Sequence, residues 1–171
     1  MIEISRIYGN IKSDLTLNSK HLEMIKNGKV ESILLTRNES EKLRMRKVTD
    51  KGAEIVITMS PGSYLNDGDV VLSNDDRMII VKRQSESVAL VTILHNTSNE
   101  KLLATAVKIG HTIGNLHRPV RIDGNKICFP IQSLSEIELF EKLFSNMRDH
   151  LELKSDEMIF QAEPGYNIHE H

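Results

Sequence analysis

The sequence predicts an α+β protein: a small antiparallel β domain, then a ferredoxin-like βαββαβ domain, then a flexible C-terminal tail. Three observations carry that prediction. Short alternating apolar segments separated by turn signals fill the first half. Two helix-period segments in the second half are each flanked by strand-like runs. The last ten residues, AEPGYNIHEH, contain Pro164 and Gly165 and have no periodicity.

In chain order, Glu54 to Met59 places Ile55, Ile57 and Met59 on one face and follows the turn signal DKG. Asp67 and Gly68 mark a turn before Val70 and Leu72, and Asn74 to Asp76 mark another before the apolar run Met78 to Val81. Such close spacing implies antiparallel pairing, packed as two small sheets. The polar stretch RQSES, around residues 83 to 87, precedes a change of pattern and sets the boundary. The expected organisation is therefore residues 1–84, residues 85–161 and a tail over residues 162–171.

The second domain begins with the apolar strand SVALVTIL. A helix is predicted from about Ser98 to Ile113, with Leu102, Leu103, Ala106, Val107, Ile109 and Ile113 as its apolar positions. Asn96 to Ser98 offers its N-cap, and Gly114 with Asn115 its stop. Two short strands, RPVRID and NKICFPI, meet at Gly124 and Asn125. A second helix from about Ser135 to Arg148 carries Ile137, Phe140, Leu143, Phe144 and Met147 on one stripe, and a final strand is predicted near Glu157 to Gln161.

Composition narrows the function. With 22 basic and 24 acidic residues the formal charge is -2, so no global field draws polyanions or an anionic membrane. Aromatic residues make up 4% and tryptophan is absent, leaving little to stack on bases. Cys128 is the single cysteine, which excludes an intrachain disulfide and a multi-thiolate zinc site, and its apolar setting KICFPI predicts a buried, inert thiol. The N-terminus has no apolar signal-peptide core and no segment approaches membrane-spanning length, so a soluble, cytoplasmic protein is expected.

Seven histidines remain as carriers of chemistry: His21, His95, His111, His117, His150, His169 and His171. His169 and His171 flank Glu170, and in extended chain residues two apart project to the same side, so two imidazoles can meet one ion while carboxylates add oxygen ligands. His117 lies just past the predicted end of the first helix, where unpaired carbonyls favour a cation. His111 falls within that helix, and Gly110 and Gly114 at i and i+4 permit a close helix contact or, for Gly114, a C-cap. No nucleophile elbow, phosphate-binding glycine loop or HExxH helix is present, which argues against an enzyme.

Taken together these segments resemble the urease accessory protein E (UreE) family of nickel metallochaperones. IGNLHRPV looks like that family's glycine, asparagine, basic residue, histidine signature after the first helix of its metal-binding domain. KLRMRKVTDKGAEIVITM and LNDGDVVLSNDDRMIIVKR are similar to its N-terminal, partner- or peptide-binding β domain, including the GD turn before a strand, and the histidine-ended tail is similar to its metal-binding tail. The resemblance implies a cytoplasmic homodimer that binds Ni(II) at its interface, with Zn(II) or Cu(II) in competition, and hands it to a urease apoprotein complex together with a GTPase accessory protein. It implies His117 as the central ligand, His169 and His171 as further ligands, and His111 and Glu170 as secondary positions. Leu116 stands where an arginine is common in the family, removing a charge beside the ligand, and two tail histidines do not make a large nickel store.

Two other readings compete. The basic run KLRMRK suggests a β module binding nucleic acid or protein through Lys42–Lys47, with Lys42, Arg44 and Arg46 expected on one strand face and Glu39 and Glu41 as balancing charges. A hydrolytic metalloenzyme would need an open metal position beside a general base, and the sequence offers no such cluster.

Overall fold

The computed structural model describes residues 1–94 and 98–162. The chain is α+β and divides into two compact units, Met1–Gln84 and Ser85–His171.

The first unit runs β1 (Ile2–Ile4), β2 (Gly9–Asn10), α1 (Leu15–Lys26), β3 (Val30–Leu35), α2 (Arg37–Ser40), β4 (Arg44–Val48), β5 (Glu54–Thr58), β6 (Asp69–Ser73) and β7 (Met78–Arg83). Its sheets have the orders β1-β5-β4 and β2-β6-β7-β3. Ile33, Leu35, Ile55, Ile57, Ile79 and Val81 are buried in one apolar cluster. Neighbouring residues on β7 serve a different cluster: Met78 and Ile80 join Met24 of α1 and Val70 of β6. That two-sided burial is why Met78 to Val81 is apolar without alternation.

Two expectations need correction here. The unit is not purely antiparallel, because β1 pairs parallel with β5 and β3 pairs parallel with β7. It also contains the 12-residue helix α1. The local signals for that helix exist: Asp14 accepts hydrogen bonds from the backbone N–H of Thr16 and Leu17 at 2.9 and 3.0 Å, and Gly28 turns the chain after its end with φ 66°. The GD turn rests on geometry. Gly68 has φ 89°, and a Cβ there would stand 2.9 Å from Asn10 Oδ1. Buried Asp69 closes the turn by accepting from Asn10 Nδ2 at 2.9 Å and from the Asn66 backbone at 2.7 Å.

The second unit runs β8 (Glu86–Ile93), α3 (Asn99–Asn115), β9 (Arg121–Asp123), β10 (Lys126–Pro130), α4 (Glu136–Leu143), a 3-10 turn over Ser145–Met147, and β11 (Leu151–Met158). Its sheet has the order β11-β8-β10-β9 with every neighbouring pair antiparallel. Each helix therefore joins two strands that are not neighbours, the pattern of a split βαβ. Ala89, Val91, Phe129 and Phe140 are fully buried with Ile109 and Ile113 of α3, and the rings of Phe129 and Phe140 lie 4.7 Å apart in edge-to-face contact. On the opposite sheet face, Val88, Cys128 and Phe160 form a smaller cluster.

Several boundaries differ from the sequence reading. Helix α3 does not stop before Gly114 but continues through Asn115. Its buried positions are Thr105, Ile109 and Ile113, while Leu103 and Val107 are 67% and 62% exposed. The helix thus has an apolar stripe facing outward in addition to the one facing the sheet. The second helix ends at Leu143, where the chain tightens into the 3-10 turn, and Leu143 is exposed. The final strand lies at Leu151–Met158, earlier than predicted, because it pairs along the full length of β8.

Candidate metal centre

Helix α3 ends in a specific way at the candidate ligand. Leu116 is its C-cap, and His117 follows with φ 51°, the one positive φ among non-glycine residues described. The His117 backbone N–H donates to the Gly114 carbonyl at 2.9 Å, and the Arg118 N–H donates to the Ile113 carbonyl at 3.3 Å. Those two bonds define a Schellman motif with His117 at its left-handed position, which glycine usually occupies. A side chain there costs on the order of 1 kcal/mol.

Downstream, the loop is anchored. Arg118 Nη2 donates to Glu136 Oε1 at 2.6 Å, and Glu136 Oε2 accepts the Gln132 backbone N–H at 2.6 Å. Both side chains of the ion pair are mostly buried, at 18% and 14% exposure. His117 itself is exposed at the surface. An imidazole is thus presented to solvent from a backbone held on both sides, an arrangement suited to a ligand that must be reachable.

His111 is exposed six residues earlier, on α3, with its Nε2 3.0 Å from Asn115 Nδ2. His169, Glu170 and His171 lie outside the described residues, as does His95. Among the described residues, no three His, Cys, Asp or Glu side chains converge as a metal site within one chain. Cys128 is buried on β10 with Sγ 4.0 Å from Met158 Sδ, and burial pushes its thiol pKa up, which suits an inert thiol.

The basic run divides. Lys42 precedes β4 rather than lying on it, correcting its placement with Arg44 and Arg46 on one strand face. Arg44 and Arg46 are exposed, whereas Lys47 turns to the other face and pairs with Glu39 at 2.9 Å. No helix among the described residues is long and apolar enough to cross a membrane.

Sequence reasoning missed the polar cavity beneath α1, lined by His21, Asp50, Lys51 and Lys82, because these residues come from three separate segments. None of them forms a motif in sequence.

Comparison with known proteins adds to this geometry. Residues 4–84 match the family model for the N-terminal domain of the UreE urease accessory protein. The chain is similar to the urease accessory protein UreE of Yersinia intermedia, 30% identical over 135 residues that cover 77% of this chain and 58% of that protein. It is similar to the protein of the same name from Edwardsiella ictaluri, 32% identical over 135 residues with the same coverage. A third relative, from Yersinia aldovae, is 27% identical over 135 residues. The matched part thus spans 58% of the length of the first two relatives.

Proposed function

We propose that the chain is a member of the UreE urease accessory protein family and a nickel metallochaperone rather than an enzyme, a reading supported by the match of residues 4–84 and by the similar urease accessory proteins. In this reading it holds Ni(II) as cargo in the cytoplasm and delivers it for assembly of the urease active site, working with a urease apoprotein complex and a GTPase accessory protein. The metal sits at a homodimer interface in the second domain, residues 85–161, with His117 of each copy as the core ligand. His169 and His171 of the tails complete the shell, and Glu170 and His111 are secondary positions.

One observation carries this reading. His117 occupies a backbone position that favours glycine, so a side chain is kept there at a conformational cost, which supports a role for the imidazole's chemistry. A lone imidazole is a weak chelator, but a two-fold axis doubles it. The outward stripe of α3 supports such an axis: Leu103 and Val107 are exposed, and a Cβ added at Gly110 or Gly114 would meet nothing within 4 Å. Exposed, shared ligands also suit a carrier, because an enclosed ion is released slowly. Neutral imidazole binds Zn(II) and Cu(II) as readily as Ni(II), so metal availability contributes to selectivity.

Calorimetric nickel titration of three variants tests the proposal. His117→Ala should remove the tightest binding step, deletion of residues 168–171 should lower affinity or stoichiometry while sparing a residual site, and the combination should abolish specific binding. Binding at full strength in His117→Ala would assign the metal elsewhere.

A further inference from the structure

Beneath the last turn of α1 the first unit encloses an open cavity of about 330 Å³. It exists because α1 ends before it has covered β7. Met24 packs over Met78 and Ile80, but the next residue on the same face of β7 is Lys82, and by then the chain has left the helix and turned at Gly28 into β3. Ile25, Val30 and Ile80 supply an apolar lining to the space that remains.

The polar groups around this cavity fall into two sets. Those in the first already have partners. Glu31 pairs with Arg77 at 2.9 Å and accepts the Thr49 hydroxyl at 2.6 Å. Asp50 accepts the Ser32 N–H on one oxygen and the Ser32 hydroxyl on the other, both at 2.8 Å. Lys51 donates to the Gly28 carbonyl. The second set is Lys82 and His21. Among the described residues neither side chain takes part in a hydrogen bond or ion pair, and the Lys82 charge acts on both His21 and Asp50. Burial first, and Lys82 second, hold the His21 imidazole below its ordinary pKa, so it is neutral near pH 7 and has an N–H to donate.

We propose that this cavity is a binding site for a carboxylate carried on a short apolar body, with Lys82 and His21 receiving the carboxylate and Ile25, Val30 and Ile80 receiving the body. The site is lined by residues of the first unit alone and does not depend on the nickel reading. An ammonium and an imidazole N–H are complementary to the two oxygens of a carboxylate. The apolar lining distinguishes such a ligand from a bare inorganic anion, which would leave it wet. Binding is linked to protonation. The charged groups around His21 are Lys82 from β7, Asp50 and Lys51 from the turn between β4 and β5, and Glu31 from β3, which is ion-paired with Arg77. A bound carboxylate offsets Lys82, raises the His21 pKa and draws a proton onto the ring, so affinity increases as pH falls toward the range in which the ring takes up that proton.

A free aliphatic acid and the C-terminus of a peptide chain offer the same chemistry, and titration followed by the His21 ring protons in NMR separates them. The probes for the metal-free full chain are 4-methylpentanoate and an N-acetylated tripeptide ending in leucine, each compared with its carboxamide. Both carboxylates should shift His21 saturably and raise its pKa, while the amides should not. Tighter binding of the peptide assigns a chain terminus, and tighter binding of the small acid assigns a free metabolite-sized ligand. Lys82→Met should weaken the carboxylates about tenfold or more, His21→Gln should remove the pH dependence while retaining binding, and His117→Ala should change neither. Equal titration by the amides, or unaltered carboxylate affinity in a folded Lys82→Met protein, overturns the proposal.

Discussion

Arg118 reaches Glu136 across 18 residues of sequence, with its Nη2 2.6 Å from the carboxylate, and so ties the residue after His117 to the first turn of α4. Arg118 Nε has no hydrogen-bond partner among the described residues, so Glu136 carries most of the compensation for a largely buried guanidinium. Removing the carboxylate alone leaves that charge exposed to desolvation. Glu136→Ala should therefore destabilise the second unit by about 2 to 3 kcal/mol. The double variant with Arg118→Met should recover part of that loss. Urea unfolding of the two single variants and the double, arranged as a double-mutant cycle, measures the coupling, and strict additivity would show that the pair is not coupled.

The left-handed backbone at His117 gives a prediction in which stability and binding move in opposite directions. His117→Gly should stabilise the second unit by about 1 kcal/mol, because glycine meets no Cβ penalty at this position. His117→Ala should not gain that stability, since alanine inherits the penalty. Both should lose the tightest nickel step. Denaturation midpoints for the three proteins decide whether the backbone conformation is strained as described.

Nickel affinity at the proposed site should fall as pH drops from 8 to 5, because an imidazole must be deprotonated to coordinate and protons compete for the lone pair that would bind the metal. Calorimetry between pH 5 and 8 measures this. Undiminished binding at pH 5 would point to carboxylate ligands and away from His117, His169 and His171.

In the first unit the acid sensitivity has a definite sign. The Glu39 carboxyl is pulled from its ordinary value near 4.5 to about 2, first by the hydrogen bond from Lys47 and then by the Thr36 backbone N–H. A depressed carboxylate contributes stability that is fully present above its unfolded pKa and is lost as pH falls from about 4.5 toward 2. The pair is partly solvated, which limits the contribution to about 1 kcal/mol. Glu39→Gln should make the first unit less stable at neutral pH and flatten its stability profile over that acid window. Identical profiles for the two proteins would mean that the Glu39 charge and its Lys47 pair contribute nothing to stability.

Local sequence by itself determined the elements whose signals are short. The turns at Asp67–Gly68 and Gly124–Asn125, the doubly buried run that forms β7, the apolar strand β8 and the two helices of the second unit can all be read from residue type and period. Helix α1 was legible as well, since Asp14 and Gly28 bracket it, but its apolar face is narrow and Leu15, Leu22 and Ile25 remain exposed, which blurs the helical period. Tertiary structure alone decided the rest. The parallel pairing of β1 with β5 and of β3 with β7 depends on partners far along the chain that no local pattern specifies. The outward direction of Leu103 and Val107 was undetermined because α3 is apolar on more than one side, and only packing of Thr105, Ile109 and Ile113 into the unit's interior chose which side is buried. At the candidate site, sequence singled out the histidine, but its backbone could not be read from it. Gly114 appeared to be the helix stop, whereas the Arg118 N–H reaching Ile113 and the Arg118 side chain reaching Glu136 carry the helix past that glycine and place His117 in the left-handed turn. A histidine adopts that conformation only where surrounding contacts compensate for its cost, and those contacts exist only in the folded chain.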